Sequence, residues 1–469
     1  MALILLFLMI GLLIVIDRGA RNQVQRQVAA IRARGEPVSV DDLNAARPNI
    51  PREQNSFFLV EQQAAIIKSL EIPDEVMQHL PVVGGGWRFT PTGERMSAEC
   101  ETAVRWYVDA ISAPLAAIHD AARGTGYATI DWTTPAIDAC LPPGISDLPK
   151  VGRSLALEAR LAAHEARSED AVRIIEDGLR IGRYLEFQPT LISAIVKLGV
   201  EAGFEHETER TINICGLPDS CLRSLQAAFK ASEGRPDLRS CMLIERVLTI
   251  DFHLHALPAG QATTHLPAPG PLVPIWKYIP LAPKADARAG IEMANRLCEA
   301  VDPADFGAVK RVEAIEQFKV SLPWYCYTAR YGAGGNTHSR WIKFWIRHLG
   351  MNRTIQAAIA AERYRLAHGQ WPGSLDVLVP DYIDAVPIDP FDDRPIRYAI
   401  VPEGIKTWVI GDDLSDEGGN IKHLEESKTE DPVTDWGWII LNPELRGRPV
   451  GAALVPATQA ATRLDAANN

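Results

Sequence analysis

The sequence predicts a mainly α-helical chain with a short membrane helix at its N-terminus and a small α+β domain at its C-terminus. Three observations predict this fold class. The first sixteen residues are almost entirely apolar, and apolar residues recur at helical spacing between residues 51 and 340. The two segments with strand character, 396–400 and 407–410, both lie near the C-terminus. With 469 residues, the chain is long enough for about three domains.

The composition is that of an ordinary globular protein. Hydrophobic residues make up 47% of the chain and charged residues 23%, which excludes collagen-like, mucin-like and wholly disordered classes. The net charge of −11 provides no general attraction to nucleic acid. Residues 381–435 contain 15 acidic and 5 basic side chains, a balance of −10, so this one segment accounts for most of the imbalance.

Residues 2–16 are predicted to form an uncleaved membrane anchor. They carry no charge and are followed by Arg18, Arg21 and Arg26. A helix of this length reaches about three quarters of a ~30 Å hydrocarbon core, and the segment lacks the basic start and the cleavage site of a signal peptide. We therefore assign residues 1–16 to the anchor and the polar, arginine-rich residues 17–50 to a juxtamembrane stalk.

Residues 51–340 are predicted to form an irregular α-helical domain. Its clearest unit is a helical hairpin, residues 153–166 and 170–185, with apolar and small residues on one face. The hairpin is similar to a tetratricopeptide unit, but no second copy follows at the ~34-residue period. Residues 258–283 contain seven prolines among apolar side chains, and we expect them to cross a helical surface in extended form. Residues 456–469 are expected to form a disordered tail.

The sequence contains none of the common catalytic motifs GxSxG, GxxxxGK[ST] and HExxH, and we predict no catalytic residue. His253 and His255 lie near Glu245 and Asp251. Because residues two apart on a helix point in different directions, we interpret these histidines as surface or hydrogen-bonded residues rather than metal ligands.

Seven cysteines are too few for a disulfide scaffold in a chain of this size, and none belongs to a CxxC pair. Cys215 and Cys221 flank a short turn and are the only pair close enough in sequence to suggest a local bridge. We prefer reduced structural cysteines, and the bridge is the alternative.

The C-terminal module, residues 341–455, contains four successive elements. A helix ends at a glycine and is followed by a proline (364–372), and an LVPDYI segment comes next (378–383). The sequence PIDPFDDRPIRY (387–398) then leads into the first strand, and the last element (408–419) consists of the end of the second strand and an acidic, glycine-containing loop (411–419).

In their order and spacing, these elements resemble the C-terminal domain of the major, G-type pseudopilins of type II secretion systems. The resemblance extends over positions 352–419 of the chain. It implies a small α+β fold, a location outside the cytoplasmic membrane, and a role in assembly rather than catalysis. It also implies that calcium binds the acidic loop, where Asp413 and Asp416 are the ligand positions, with Asp412 and Asp435 as weaker candidates. The whole helical domain separates the anchor from this module, so we expect that domain to have a role of its own.

Together, these observations predict a non-enzymatic, single-pass protein of the bacterial cytoplasmic membrane. We expect residues 2–16 to anchor it, most of the chain to lie outside the cytoplasm, the helical domain to bind protein partners, and no nucleic acid to bind. Arginines after the anchor favour the opposite orientation, so a cytoplasm-facing tethered scaffold is one alternative. An envelope hydrolase is another, and it would need a pocket with shifted pKa values formed by side chains such as Glu158, His164 and His206.

Overall fold

The computed structural model describes residues 18–19, 21–48, 50–81, 92–136, 141–256, 282–323, 326–331, 337–421 and 435–451. The fold is mainly helical with a small three-stranded antiparallel sheet near the C-terminus, which confirms the predicted fold class at this level. The predicted anchor, nearly all of the proline-rich segment and the predicted disordered tail lie outside these ranges. No helix within the described ranges is both long and apolar enough to cross a membrane.

In the first half of the chain the helices are α1 (residues 21–33), α2 (Val40–Ala45), α3 (Ser56–Ser69), α4 (Asp74–Met77), α5 (Ala98–Ala110), α6 (Ser112–Ala122), α7 (Leu148–His164), α8 (Ser168–Arg183), α9 (Leu191–Cys215), α10 (Asp219–Ser232) and α11 (Leu238–Asp251). A π-helical turn, Phe252–Ala256, continues α11. The later helices are α12 (Ala282–Ala300), α13 (Gly307–Ser321), α14 (Tyr327–Tyr331) and α15 (Thr337–His368). Several helices begin at a side-chain oxygen that accepts an otherwise unpaired backbone N–H, as at Asn55, Ser97, Thr190 and Asp237.

The predicted helical hairpin is present as α7 and α8, and α9 packs against both helices. The close packing depends on a glycine, because a Cβ added to Gly178 on α8 would lie 2.0 Å from the Phe204 ring on α9. Buried aliphatic side chains from all three helices belong to one hydrophobic cluster. These helices therefore form the centre of the helical body.

Helices α1 and α2 of the segment that we predicted as a stalk are packed against the helical body. On α1, Val24, Val28 and Ile31 recur at i, i+4 and i+7 and pack with Ile250 of α11 and Ile291 of α12. A second cluster holds α2 against α11 in the same way. The helical spacing of the three α1 residues, rather than the arginine-rich composition, is the sequence feature that indicates this packing.

The C-terminal sheet consists of β1 (Arg397–Val401), β2 (Gly404–Val409) and β3 (Trp436–Leu441), in the order β1-β2-β3. The sequence predicts the first two strands and misses β3. The almost uninterrupted apolar run of β3 is typical of a strand buried on both faces, and all but one of its residues are buried.

Helix α15 lies between the helical body and the sheet. Asn352 donates to the Phe229 carbonyl of α10 (3.3 Å), whereas Thr407 of β2 donates to the Thr354 carbonyl (3.0 Å). On β3, the fully buried Trp438 donates to the Met351 carbonyl (2.9 Å) and belongs to the same hydrophobic cluster as the α7–α9 core. The boundary predicted at residue 341 falls in the first turns of α15, and the body and the module share one core.

The outer edge of β3 is covered by side chains of α9. Glu209 Oε1 accepts the Ile439 N–H (2.9 Å), and Asn213 accepts the Leu441 N–H (2.8 Å) while it donates to the Ile439 carbonyl (2.7 Å). An exposed strand edge carries unpaired backbone groups that can recruit another strand. Two polar side chains of a helix satisfy these groups here.

Candidate functional site

The acidic loop, residues 411–419, begins two residues after the end of β2. Asp416 Oδ1 accepts hydrogen bonds from Trp408 Nε1 and from the Gly418 N–H, both at 3.0 Å. Burial raises the pKa of Asp416, but these hydrogen bonds and Arg397 outweigh it and leave that pKa below its ordinary value. The loop is therefore an ordered turn with an ionised carboxylate fixed against the sheet.

Arg397 at the start of β1 joins the acidic loop to the turn that precedes the strand. Its guanidinium donates to Asp389 and to Asp392 (2.5 Å for Nη2–Oδ2), and its Nε lies 3.4 Å from Asp416 Oδ2. We call these four residues the Arg397 cluster. All four belong to the sequence elements that carry the pseudopilin resemblance.

Asp389 is the buried member of the Arg397 cluster. Its Oδ1 accepts the Phe391 N–H (2.8 Å), and its Oδ2 accepts the Ile410 N–H (3.0 Å) as well as the Arg397 guanidinium. Burial nevertheless raises the pKa of Asp389 to about 6, above its ordinary 3.8. The aspartate ties the turn before β1 to the residue after β2, so its role in the turn is structural.

The other predicted calcium ligands have separate partners. Asp413 is exposed and accepts the Ser415 N–H (3.1 Å), while Asp412 Oδ2 lies 3.1 Å from Arg347 Nη2. Asp435 is fully buried and accepts the Gly419 N–H through Oδ2 (2.8 Å). Burial, followed by the nearby Asp416 and Glu417, raises its pKa to about 6.

A calcium ion needs several oxygen ligands around one centre. Asp412 Oδ1 and Asp435 Oδ1 are buried and lack a hydrogen-bond partner among the described residues, which suits a cation. However, those residues include no group of three carboxylate, histidine or cysteine side chains that could hold a metal ion. Two arginines already neutralise Asp412 and Asp416. Calcium binding at the acidic loop therefore stays a prediction.

The side chains considered for a hydrolase lie in three separate environments. Glu158 Oε2 lies 2.9 Å from His119 Nε2, and His164 Nε2 lies 3.0 Å from Glu101 Oε2. The His206 ring contacts the Trp438 ring at a centroid distance of 4.9 Å. The structure does not bring the three candidates together in one pocket.

His119 is held between two carboxylates of the helical body. Its Nδ1 lies 2.9 Å from Asp177 Oδ2, and its Nε2 lies 2.9 Å from Glu158. Burial lowers the pKa of His119, but the two carboxylates outweigh it and raise that pKa to about 9. A histidine that stays protonated at neutral pH is a structural cation rather than a general base.

The interpretation of His253 and His255 as surface or hydrogen-bonded residues fits His255, which is exposed in the π-helical turn. His253 differs, because it is buried against Gly290 and its Nδ1 has no hydrogen-bond partner among the described residues. Burial lowers the pKa of His253 to about 4. Glu245 instead accepts the Leu191 N–H (3.1 Å) and caps α9.

A cluster that the sequence analysis missed lies at the contact of α9 and α15. We call Lys197, Glu201, Glu205 and His348 the buried charge cluster. Lys197 Nζ lies 2.6 Å from Glu201 Oε1, and His348 Nε2 lies 3.2 Å from Glu201 Oε2. Its members on α9 recur at i, i+4 and i+8, a spacing equally typical of a solvated helix face.

The titration of the buried charge cluster follows from its complete burial. Burial raises the pKa of Glu205 to about 7, even though His348 Nδ1 lies 3.7 Å from its carboxylate. Burial opposes ionisation of Glu201 too, but Lys197 and His348 lower its pKa below the ordinary value. Burial lowers the pKa of His348, and the two glutamates outweigh it and raise that pKa. The cluster is closed to substrates, because its four side chains are 0–7% exposed.

The described cysteines are all free thiols, including Cys215 and Cys221, so the structure contains no bridge between these two. Burial raises the pKa of Cys215 to about 11, and its thiol donates to the Thr211 carbonyl (3.4 Å). These are properties of a structural cysteine.

Comparisons of the chain with protein-family models, with curated proteins and with solved structures found no match.

Proposed function

We propose that this chain is a non-enzymatic, membrane-anchored protein of the bacterial envelope. Its helical body would bind protein partners, and its C-terminal module would be a pseudopilin-like unit for assembly or for docking to secretion machinery. Residues 2–16 would hold the chain in the membrane, with most of it outside the cytoplasm.

The observation that carries this proposal is the Arg397 cluster. The sequence elements that resemble a pseudopilin are separate along the chain, yet Asp389, Asp392 and Asp416 surround one guanidinium. The cluster fixes the acidic loop to the turn before β1. The contacts of Arg397 require these elements in this order and at this spacing. This requirement supports the interpretation that the elements form one module and do not resemble a pseudopilin by chance.

The helical body supports a binding role through its shape and surface. The α7–α8 hairpin with α9 is the kind of stacked helical unit that tetratricopeptide-like proteins use for recognition. On α9, Ile192 and Ile195 lie on the same side of the helix and are 48% and 43% exposed. An apolar pair of this kind on a helix face suits contact with another protein.

A cytoplasm-facing scaffold is the second candidate, and one observation favours it. Arg18, Arg21 and Arg26 are exposed at the start of the described chain, immediately after the predicted anchor. Basic residues that follow a membrane helix favour retention of that side in the cytoplasm. The enzymatic alternative has no comparable support, since its candidate side chains do not converge.

A topology reporter tests the proposal. A reporter that is active only after export, fused behind Asn469, should be active with the full chain and inactive when residues 2–16 are deleted. The same chain fused to a reporter that is active only in the cytoplasm provides the reciprocal measurement. Activity of the cytoplasmic reporter alone would reject the envelope location and favour the tethered scaffold.

A further inference from the structure

We draw no further inference here: the strongest candidate, the open face of α9 that carries Ile192, Ile195 and Gly199, belongs to the partner-binding surface already proposed, and nothing in the structure shows what covers it.

Discussion

The Arg397 cluster and the buried charge cluster both place a cation among several carboxylates, but they do so at different places in the fold. In the Arg397 cluster, Arg397 and Asp389 are eight residues apart, whereas His348 and Glu201 in the buried charge cluster are 147 residues apart. The first is a local device that shapes a turn. The second forms only when α9 and α15 pack together.

The two clusters also differ in how completely their polar atoms are paired. Asp389 makes hydrogen bonds through both of its carboxylate oxygens. In the buried charge cluster, Glu205 Oε1 and His348 Nδ1 are buried without a hydrogen-bond partner among the described residues. Because an unpaired polar atom away from water is costly, the stability of the second cluster depends on its exact protonation. The Arg397 cluster should therefore tolerate a change in protonation or a substitution better than the buried charge cluster does.

The largest effect is expected when Lys197 loses its charge. The variant K197M leaves Glu201 ionised in a fully buried position, so we expect the free energy of unfolding to fall by about 3 to 5 kcal/mol. Denaturant titration at neutral pH measures this loss. The matched control K310M, on an exposed lysine of α13, should change it by less than about 0.5 kcal/mol.

A double variant checks that charge, and not packing alone, explains the result. K197M/E201Q removes both charges and should recover part of the loss, because residue 201 then carries no buried charge. The recovery is incomplete, because Glu186, 3.3 Å from Lys197, still loses that cation. If K197M were no more costly than K310M, the buried charge cluster would not be held by mutual neutralisation.

The second largest effect is expected in the pH dependence of the free energy of unfolding, and Glu205 determines its direction. Its folded pKa of about 7 lies above its ordinary value of 4.5. A raised folded pKa means that the native state holds a proton that the unfolded state has lost, so stability falls as pH rises. From pH 4.5 to 7 the loss should total about 3 kcal/mol, with little further loss from this group above pH 7.

The variant E205Q isolates this contribution, because glutamine keeps the shape of the protonated acid and does not titrate. We expect unfolding of E205Q to depend less on pH between 4.5 and 7 than unfolding of the natural chain, measured by denaturant titration at half-unit steps. Glu205 also helps to raise the pKa of His348, whose ordinary value is 6.5, so the comparison reports on Glu205 at pH values below that. Parallel pH profiles would show that Glu205 is ionised in the native state throughout.

A smaller loss is expected at Arg397. R397M should lower the free energy of unfolding by about 2 kcal/mol, since the lost hydrogen bonds involve charged groups but Asp389 can protonate in response. R397K keeps the charge but cannot reach three carboxylates with one planar fork, and it should fall between R397M and the natural chain. R394M, on an arginine that is 79% exposed, is the control. A loss in R394M as large as in R397M would mean that the cluster adds nothing specific.

Calcium is expected to have the smallest effect. If it binds Asp413 and Asp416 with a dissociation constant of ~10⁻³ M, several millimolar calcium should stabilise the chain by about 1 kcal/mol, and magnesium by less. The thermal unfolding midpoint of the full chain measures this, with D413N/D416N as the control that removes the difference. An unchanged midpoint in the natural chain would leave Arg397 as the cation that serves Asp416.

The sequence predicts what depends on short-range spacing. The α7–α8 hairpin follows from apolar periodicity, and β1, β2 and the acidic loop follow from short continuous segments. The packing of α1 could have been predicted in the same way, from the helical spacing of Val24, Val28 and Ile31. The strand β3 is harder, because a short apolar run fits a buried strand and a buried helix segment equally well.

The buried charge cluster could not be predicted for a different reason. Lys197, Glu201 and Glu205 lie on one side of a helix, and such a stripe normally faces water. Only the arrival of His348 from α15, with Ser232 and the Arg235 carbonyl around Lys197, offsets the cost of burial. Nothing within either helix specifies this meeting. Likewise, the spacing of Glu158, His164 and His206 does not reveal that each has a separate partner.

The cover that α9 provides for β3 limits how far the C-terminal sheet can be extended between molecules. Glu209 and Asn213 cover the outer edge of β3. Among the described residues, the outer edge of β1 is then the one sheet edge whose backbone groups are not paired with another backbone segment. A second molecule joining there would present its own covered border to the outside. Growth would therefore terminate at two copies, so the fold excludes fibre formation by repeated strand addition while leaving pairwise association open.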